Sequence, residues 1–364
     1  MPEPVHGAAM MGKYIKESKI ISSSFDGDYI NLSTSQHLHE VGKAGIGKIV
    51  NLIKIQGKVL KALISKRYDL TYLTLTAKGS GFYKDLMIVV ILKLFRKKII
   101  YHFHNKGVSS RQDNILDHLL YKFTFADTKT ILLSQYLYYD IKKYVKKENV
   151  FFCPNGIPSA KDLDSEILLE KRINNTSNLR ARILFLSNMM EEKGVLVLVE
   201  ACKILQQKSI EFECHFVGAW SDVSEEKFNS DILNNNLSDR VFGHGKKYGG
   251  EKNSFLHNSD IFVFPTYYHN ETFGLVIIEA MEFALPVIST HEGGIPDVVI
   301  DGETGFLVPQ QNAAALAEKI EILIKKPELR LQMGMAGKKR FEQLFTLERF
   351  ENRLSDILKQ AIKS

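Results

Sequence analysis

Short apolar runs rich in Ile, Val and Phe alternate along this chain with stretches of helical period, the rhythm of an α/β fold on mostly parallel sheets. In the first half these runs predict strands over Tyr29–Leu32, Leu70–Leu75, Lys98–Phe103, Thr130–Leu133 and Asn149–Phe152, with a helix over Ile46–Ser65 among the connections. The second half predicts strands at Arg182–Leu186, Phe212–Val217, Ile261–Phe264 and Pro286–Ser289, and helices at Gly194–Gln206 and Phe273–Ala284. The expectation is two Rossmann-like, doubly wound halves.

Pro154-Asn155-Gly156-Ile157-Pro158 gathers turn formers that stop one strand and redirect the chain, as a hinge would. The polar stretch Pro158–Leu179 after it reads as a linker or surface excursion. The expected domains are therefore residues 1–157 and 158–345, with a final helix over 346–364 packing back toward the first. The start is unusual: Pro2–Ala9 looks like the first ligand loop of a doubly wound domain, with a helix from about Ala9, yet no apolar strand precedes it. A trimmed or misassigned start is the favoured explanation.

At 364 residues two domains are expected, each able to bury its own core. Cys153, Cys202 and Cys214 show no CxxC spacing and point away from a disulfide framework or structural zinc site, toward a reducing cytosol. The longest apolar run, Leu86–Leu92, ends at Lys93, well short of the ~20 residues that span a bilayer. No secretory signal is visible, so a cytoplasmic protein is expected.

Charge divides the chain more sharply than its net +6 suggests. Residues 1–155 hold 24 Lys and Arg against 12 Asp and Glu, and the remainder 24 against 30, giving +12 and −6. An anionic partner for the first half follows, with peripheral attachment to the inner face of the plasma membrane as one form of it. Lys48, Lys54, Lys58 and Lys61 lie among Ile and Leu on the Ile46–Ser65 helix, which suits a membrane surface as well as a solvated helix face.

The densest chemistry is Glu271-Thr272-Phe273-Gly274-Leu275, followed on the helix by Glu279. A helix start near Phe273 offers backbone N–H groups to a diphosphate, and Gly274 allows close approach. One carboxylate in the loop and a second on the helix could take hydroxyls on either side of the diphosphate, the layout of a nucleotide sugar. Alone, the spacing describes any amphipathic helix with two solvated acids. Its flanks decide otherwise: Asp260-Ile-Phe-Val-Phe-Pro265-Thr266 and Leu285-Pro-Val-Ile-Ser-Thr290 are strands that deliver loops to one side.

Taken with VFGHG, SDIFVFPT, ETFGLVIIEAMEFALPVIST, HEGGIPDVV and DGETGFLVP, residues 241–309 resemble the donor half of retaining glycosyltransferases of family 4, which have the GT-B fold. More loosely, PVHGAA, IIYHFHNKG, CPNGIP and FLSNMMEEKGVLVLVEA fall where that family's loops fall. The resemblance implies a nucleotide diphosphate sugar as donor, a UDP-sugar foremost, and a lipid-linked or polysaccharide acceptor such as a capsule or O-antigen chain. It implies a hexosyl- or N-acetylhexosaminyl-transferase. Glu271, His104 and Lys193 would be catalytic; Glu279, Thr272, Phe273, Gly274, Leu275, Asn188 and Lys246 would bind the donor; His6 and Gly7 would form an acceptor or phosphate loop.

The chain departs from the family at Ser187-Asn188, where many members carry Gly-Arg, so Lys193 acts alone against the diphosphate or Lys246 or Lys247 substitutes. Asp26-Gly27-Asp28 matches a metal-binding DxD but sits in a Gly-centred turn, and no cofactor or metal is expected. A sugar-nucleotide epimerase of the same architecture would leave the basic half unexplained. A nucleic-acid-binding protein would leave Glu271 and Glu279 without purpose, and nucleic acid is not an expected partner. A dehydrogenase is disfavoured because no G-x-G-x-x-G follows a strand.

Overall fold

The computed structural model describes residues 7–33, 46–160, 163–174 and 180–363. The chain forms two compact units, Met1–Gly156 with Leu347–Ser364, and Ile157–Thr346. In the first, β1 (Thr71–Thr74), β2 (Ile99–His102), β3 (Lys129–Leu132) and β4 (Val150–Phe152) form one parallel sheet in chain order. The second holds β5 (Ala181–Leu186), β6 (Phe212–Val217), β7 (Val241–Gly243), β8 (Ile261–Phe264), β9 (Val287–Thr290) and β10 (Gly305–Val308). Their spatial order is β10-β9-β8-β5-β6-β7, all parallel.

The central strands of the second unit are apolar on both faces because helices cover both, as parallel sheets require. Every residue of β8 and β9 is buried. Phe185 of β5 meets Phe216 of β6 at 5.3 Å between ring centroids and Phe264 of β8 at 6.3 Å. The helix Val195–Gln207 buries Leu198, Cys202 and Leu205 at helical spacing, and the helix Ala313–Lys325 packs beside it.

The first unit builds part of its core from the far end of the chain. The helix Leu347–Lys363 repeats Phe350, Leu354, Ile357, Leu358 and Ala361 on one face, and these close over Met11, Ile100, Ile131 and Cys153.

Three expectations are corrected. Tyr29–Leu32 forms no strand: none of its residues is buried, so nothing fixes a pairing face, and the Tyr29 hydroxyl instead donates to the Gly12 carbonyl at 3.4 Å. Gly7, expected in a loop, opens the helix Gly7–Glu17, while His6 lies outside the described residues. Within Pro158–Leu179 lies a helix, Ser165–Asn174, that is pinned rather than loose. Its Arg172 is buried and donates to three carbonyls of the second unit: Leu256 at 3.1 Å, Phe283 at 2.9 Å, and Ser259.

Candidate functional site

In an open parallel sheet, ligands bind beyond the carboxyl ends of the strands, where the strand order reverses. In the second unit that reversal falls between β5, whose chain moves outward to β6, and β8, which lies on its other side. The loops leaving β5 and β8 carry Lys193 and Glu271. Their side chains meet at 2.7 Å, only 14% and 13% exposed, though 78 positions apart in sequence.

Each partner is held from several sides. Lys193 Nζ lies over the Tyr268 ring at 4.3 Å and the Phe264 ring at 5.6 Å, so two aromatic faces and a carboxylate fix one ammonium. Glu271 Oε1 accepts from Gly274 N at 3.1 Å and Thr272 N at 3.3 Å, leaving Oε2 for Lys193. Gly293 forms the floor beneath: its φ is +56°, and a Cβ there would sit 2.3 Å from the Glu271 carbonyl oxygen.

The helix expected from Phe273 begins at Leu275 and runs to Glu282. Phe273 is buried and packs edge-on to Phe345 at 5.8 Å, so its ring belongs to the core. Gly274 precedes the helix with a left-handed φ of 75° and no side-chain cap. Its N–H is engaged by Glu271 and the Ile277 N–H donates to the Gly274 carbonyl at 2.9 Å, so the amides at the helix start that face an anion are those of Leu275 and Val276. Farther along, Glu279 Oε2 pairs with Lys252 Nζ at 2.8 Å.

Lys252, on the helix Gly249–Asn258, is the cation that sequence reasoning missed, because no motif links it to an acid 27 positions away. Lys246 and Lys247 are directed elsewhere. Lys246 is exposed over the Tyr248 ring at 4.6 Å, and Lys247 pairs with Glu251 at 3.6 Å. Asn188 is exposed at the end of β5, where its carbonyl accepts from Met190 N at 2.8 Å. Thr272 is buried, with its carbonyl taken by Gly294 N at 3.0 Å. A cavity of about 480 Å³ lined by Arg182, Glu213, His215 and His244 does not include the Lys193–Glu271 pair.

In the first unit His104 follows β2, its ring 4.2 Å from that of His102. Burial holds the His102 imidazole far below its ordinary pKa, with His104 adding to the effect, and Tyr72 Oη lies 2.6 Å from its Nδ1. The loop beyond is fixed by Asp140, another residue with no sequence signal. This buried carboxylate accepts from Gly107 N at 2.8 Å, Val108 N at 3.1 Å and Ser109 N at 3.0 Å, and from the Ser109 hydroxyl at 2.7 Å. Asp28 of the DxD turn is taken by Tyr68 Oη at 2.5 Å and Lys66 Nζ at 3.3 Å. Among the described residues no three His, Cys, Asp or Glu side chains converge as a metal site would need.

Residues 168–340, which contain this whole constellation in the second unit, match the family described as Glycosyl transferases group 1. Over that stretch the chain is similar to group 1 glycosyl transferases. It is 32% identical over 248 residues to the capsular polysaccharide biosynthesis glycosyltransferase CapM of Staphylococcus aureus, an alignment covering 65% of this chain and 64% of that relative. Against the uncharacterized glycosyltransferase MJ1178 of Methanocaldococcus jannaschii it is 31% identical, spanning 59% of that relative's length. The crystal structure of a glycosyltransferase from Rickettsia africae matches with a TM-score of 0.66 at 22% identity, covering 90% of this chain and 85% of that one. HepE of Anabaena, in complex with UDP and glucose, matches at 0.66 and 19% identity, with 87% and 84% covered. Together with the two parallel α/β units these likenesses establish the fold as GT-B.

Proposed function

We propose that this protein transfers a sugar from a nucleotide diphosphate sugar to a hydroxyl of a surface polysaccharide or its lipid-linked precursor. The observation that carries the reading is the Lys193–Glu271 pair at the reversal of the second sheet, beside a helix start without a side-chain cap. Lys193 supplies a fixed point charge for a diphosphate oxygen, and the amides of Leu275 and Val276 supply further donors. Glu271 accepts from the hydroxyls of the sugar, while Glu279, steadied by Lys252, accepts from the ribose. HepE with UDP and UDP-glucose, and CapM by its name, support the donor class and the destination.

In the proposed reaction the acceptor oxygen bonds to the anomeric carbon on the face the diphosphate leaves. The carbon–oxygen bond to phosphate breaks, and the acceptor proton passes to the departing phosphate. Retention follows without a carboxylate nucleophile or a metal. The protein contributes orientation and stabilisation of the negative charge that grows on the diphosphate. The assignment of His104 rests on its place after β2 and on the family resemblance.

Thermal melting against a panel of UDP-, GDP- and ADP-sugars tests the reading. One nucleotide class should raise the melting temperature, since a ligand at about 100 times its Kd adds about 2.7 kcal/mol. A panel without any shift overturns it.

A further inference from the structure

Three helices of the first unit turn rows of large apolar side chains outward. They are Ile46–Ser65, with Ile53 and Ile64 exposed, Gly79–Leu94, with Met87 and Leu94, and Ile115–Phe125, with Ile115 and Leu119. Ile64, Leu94 and Ile115 are 75%, 76% and 81% exposed. Thirteen of the 22 large apolar side chains exposed among the described residues lie on these helices, which separates them from the scattered exposure of an ordinary surface. The inward rows are distinct: Ile55 and Val59 on the first helix and Ile88 and Leu92 on the second are buried.

The helices are neighbours. The first packs against the second, and the second is tied to the third by Tyr83 Oη donating to Asp117 at 2.5 Å and Lys93 Nζ to the Ala126 carbonyl at 2.6 Å. Charge identifies what the surface meets. Residues 41–68 contain seven Lys and Arg and no Asp or Glu. At about 100° per residue, exposed Lys54, Lys58 and Lys61 fall along one flank of the Ile53–Ile64 row. Asp85 and Asp117 on the other two helices are buried. A second copy docked here would set one basic flank against another. A bilayer with anionic headgroups satisfies both the apolar rows and the lysines, as an interfacial helix does. Among the described residues no helix is long and apolar enough to cross a membrane.

We propose that the first unit docks on an anionic lipid surface through the helices Ile46–Ser65, Gly79–Leu94 and Ile115–Phe125. The inference goes beyond the transfer reading and does not depend on it. The test is flotation of the full chain with vesicles of phosphatidylcholine alone and of phosphatidylcholine with about one third phosphatidylglycerol. Wild-type protein should favour the anionic vesicles by about tenfold or more. Lys54→Gln/Lys58→Gln/Lys61→Gln should lower that binding by about fivefold per lysine. Ile64→Ser/Leu94→Ser/Ile115→Ser should weaken binding to both vesicle types while gel-filtration volume and melting temperature stay at wild-type values. In both variants the melting shift with nucleotide sugar should persist, so a failure of docking is distinct from a failure of the transferase reading. Equal binding of the wild type to the two vesicle types, or no binding, overturns the proposal, as does a dimer that the apolar variant converts to monomer.

Discussion

Of the 22 large apolar side chains exposed among the described residues, 17 lie in the first unit and five in the second. The sequence halves are opposite in charge, +12 for residues 1–155 and −6 for the rest. The second unit spends its apolar residues on a six-stranded sheet and brings paired charges to the strand ends, where Lys193 meets Glu271 and Lys252 meets Glu279. Among the described residues the first has four short strands, and its helices have apolar rows on two sides. The family match, residues 168–340, falls entirely within the second unit. The likeness to group 1 glycosyl transferases is thus concentrated there, and the first unit carries most of the exposed apolar surface.

Four changes sharpen or break that contrast. The largest is expected from Arg172→Ala, which strips the buried carbonyls of Leu256, Ser259 and Phe283 of their donor at a cost of about 3–5 kcal/mol. Calorimetry should show the second unit melting early while the first holds; simultaneous collapse would mean the two are not separate in stability. Next, Glu271→Ala should lower kcat/KM by about ten- to a hundredfold for each charge-assisted hydrogen bond lost, and should lower the melting temperature as well, because it leaves the Lys193 ammonium and the Thr272 and Gly274 N–H groups without their carboxylate. Wild-type kinetics in that variant would remove the second unit's claim to the chemistry.

A smaller effect is expected from Lys252→Ala. It frees Glu279 without removing it, so the donor KM should rise several-fold with kcat nearly constant. A fall in kcat alone would place Glu279 nearer the reacting bond than the ribose. The smallest effect is common to both units. Burial holds His102 in the first, and His215 and His244 in the second, below the ordinary 6.5. The unfolded chain takes up protons as pH falls through that value and the folded chain does not, so stability present above about 6.5 is lost below it. Melting temperatures measured from about pH 7.5 to about 5.5 should fall, and a flat profile would show these imidazoles exposed to protons in the native state.

What the sequence disclosed follows burial. Strands β6 and β8 are legible to the residue, β8 because its apolar run is buried throughout and β6 because buried Phe212, Cys214 and Phe216 alternate with half-buried Glu213 and His215. The edge strands β7 and β10 escaped: each is three or four residues long, contains Gly243 or Gly305 and is half-exposed, so its pattern merges with loop. The acids of the site were visible through a local motif, whereas Lys252, Asp140 and Arg172 were not. Their partners are 27, 31 to 33 and 84 to 111 positions away, and only the fold brings them together.

The helix Leu347–Lys363 sets an order of events during synthesis. The strands it covers, β2 and β3, leave the ribosome some two hundred residues earlier, and the whole of Ile157–Thr346 is made in between. The second unit has its full sequence in hand while the first still waits with Ile100 and Ile131 uncovered. The nascent first unit is therefore the part whose apolar surface stays uncovered for longest. A premature stop a few codons from the end would damage the unit that was translated first and spare the one that was translated second.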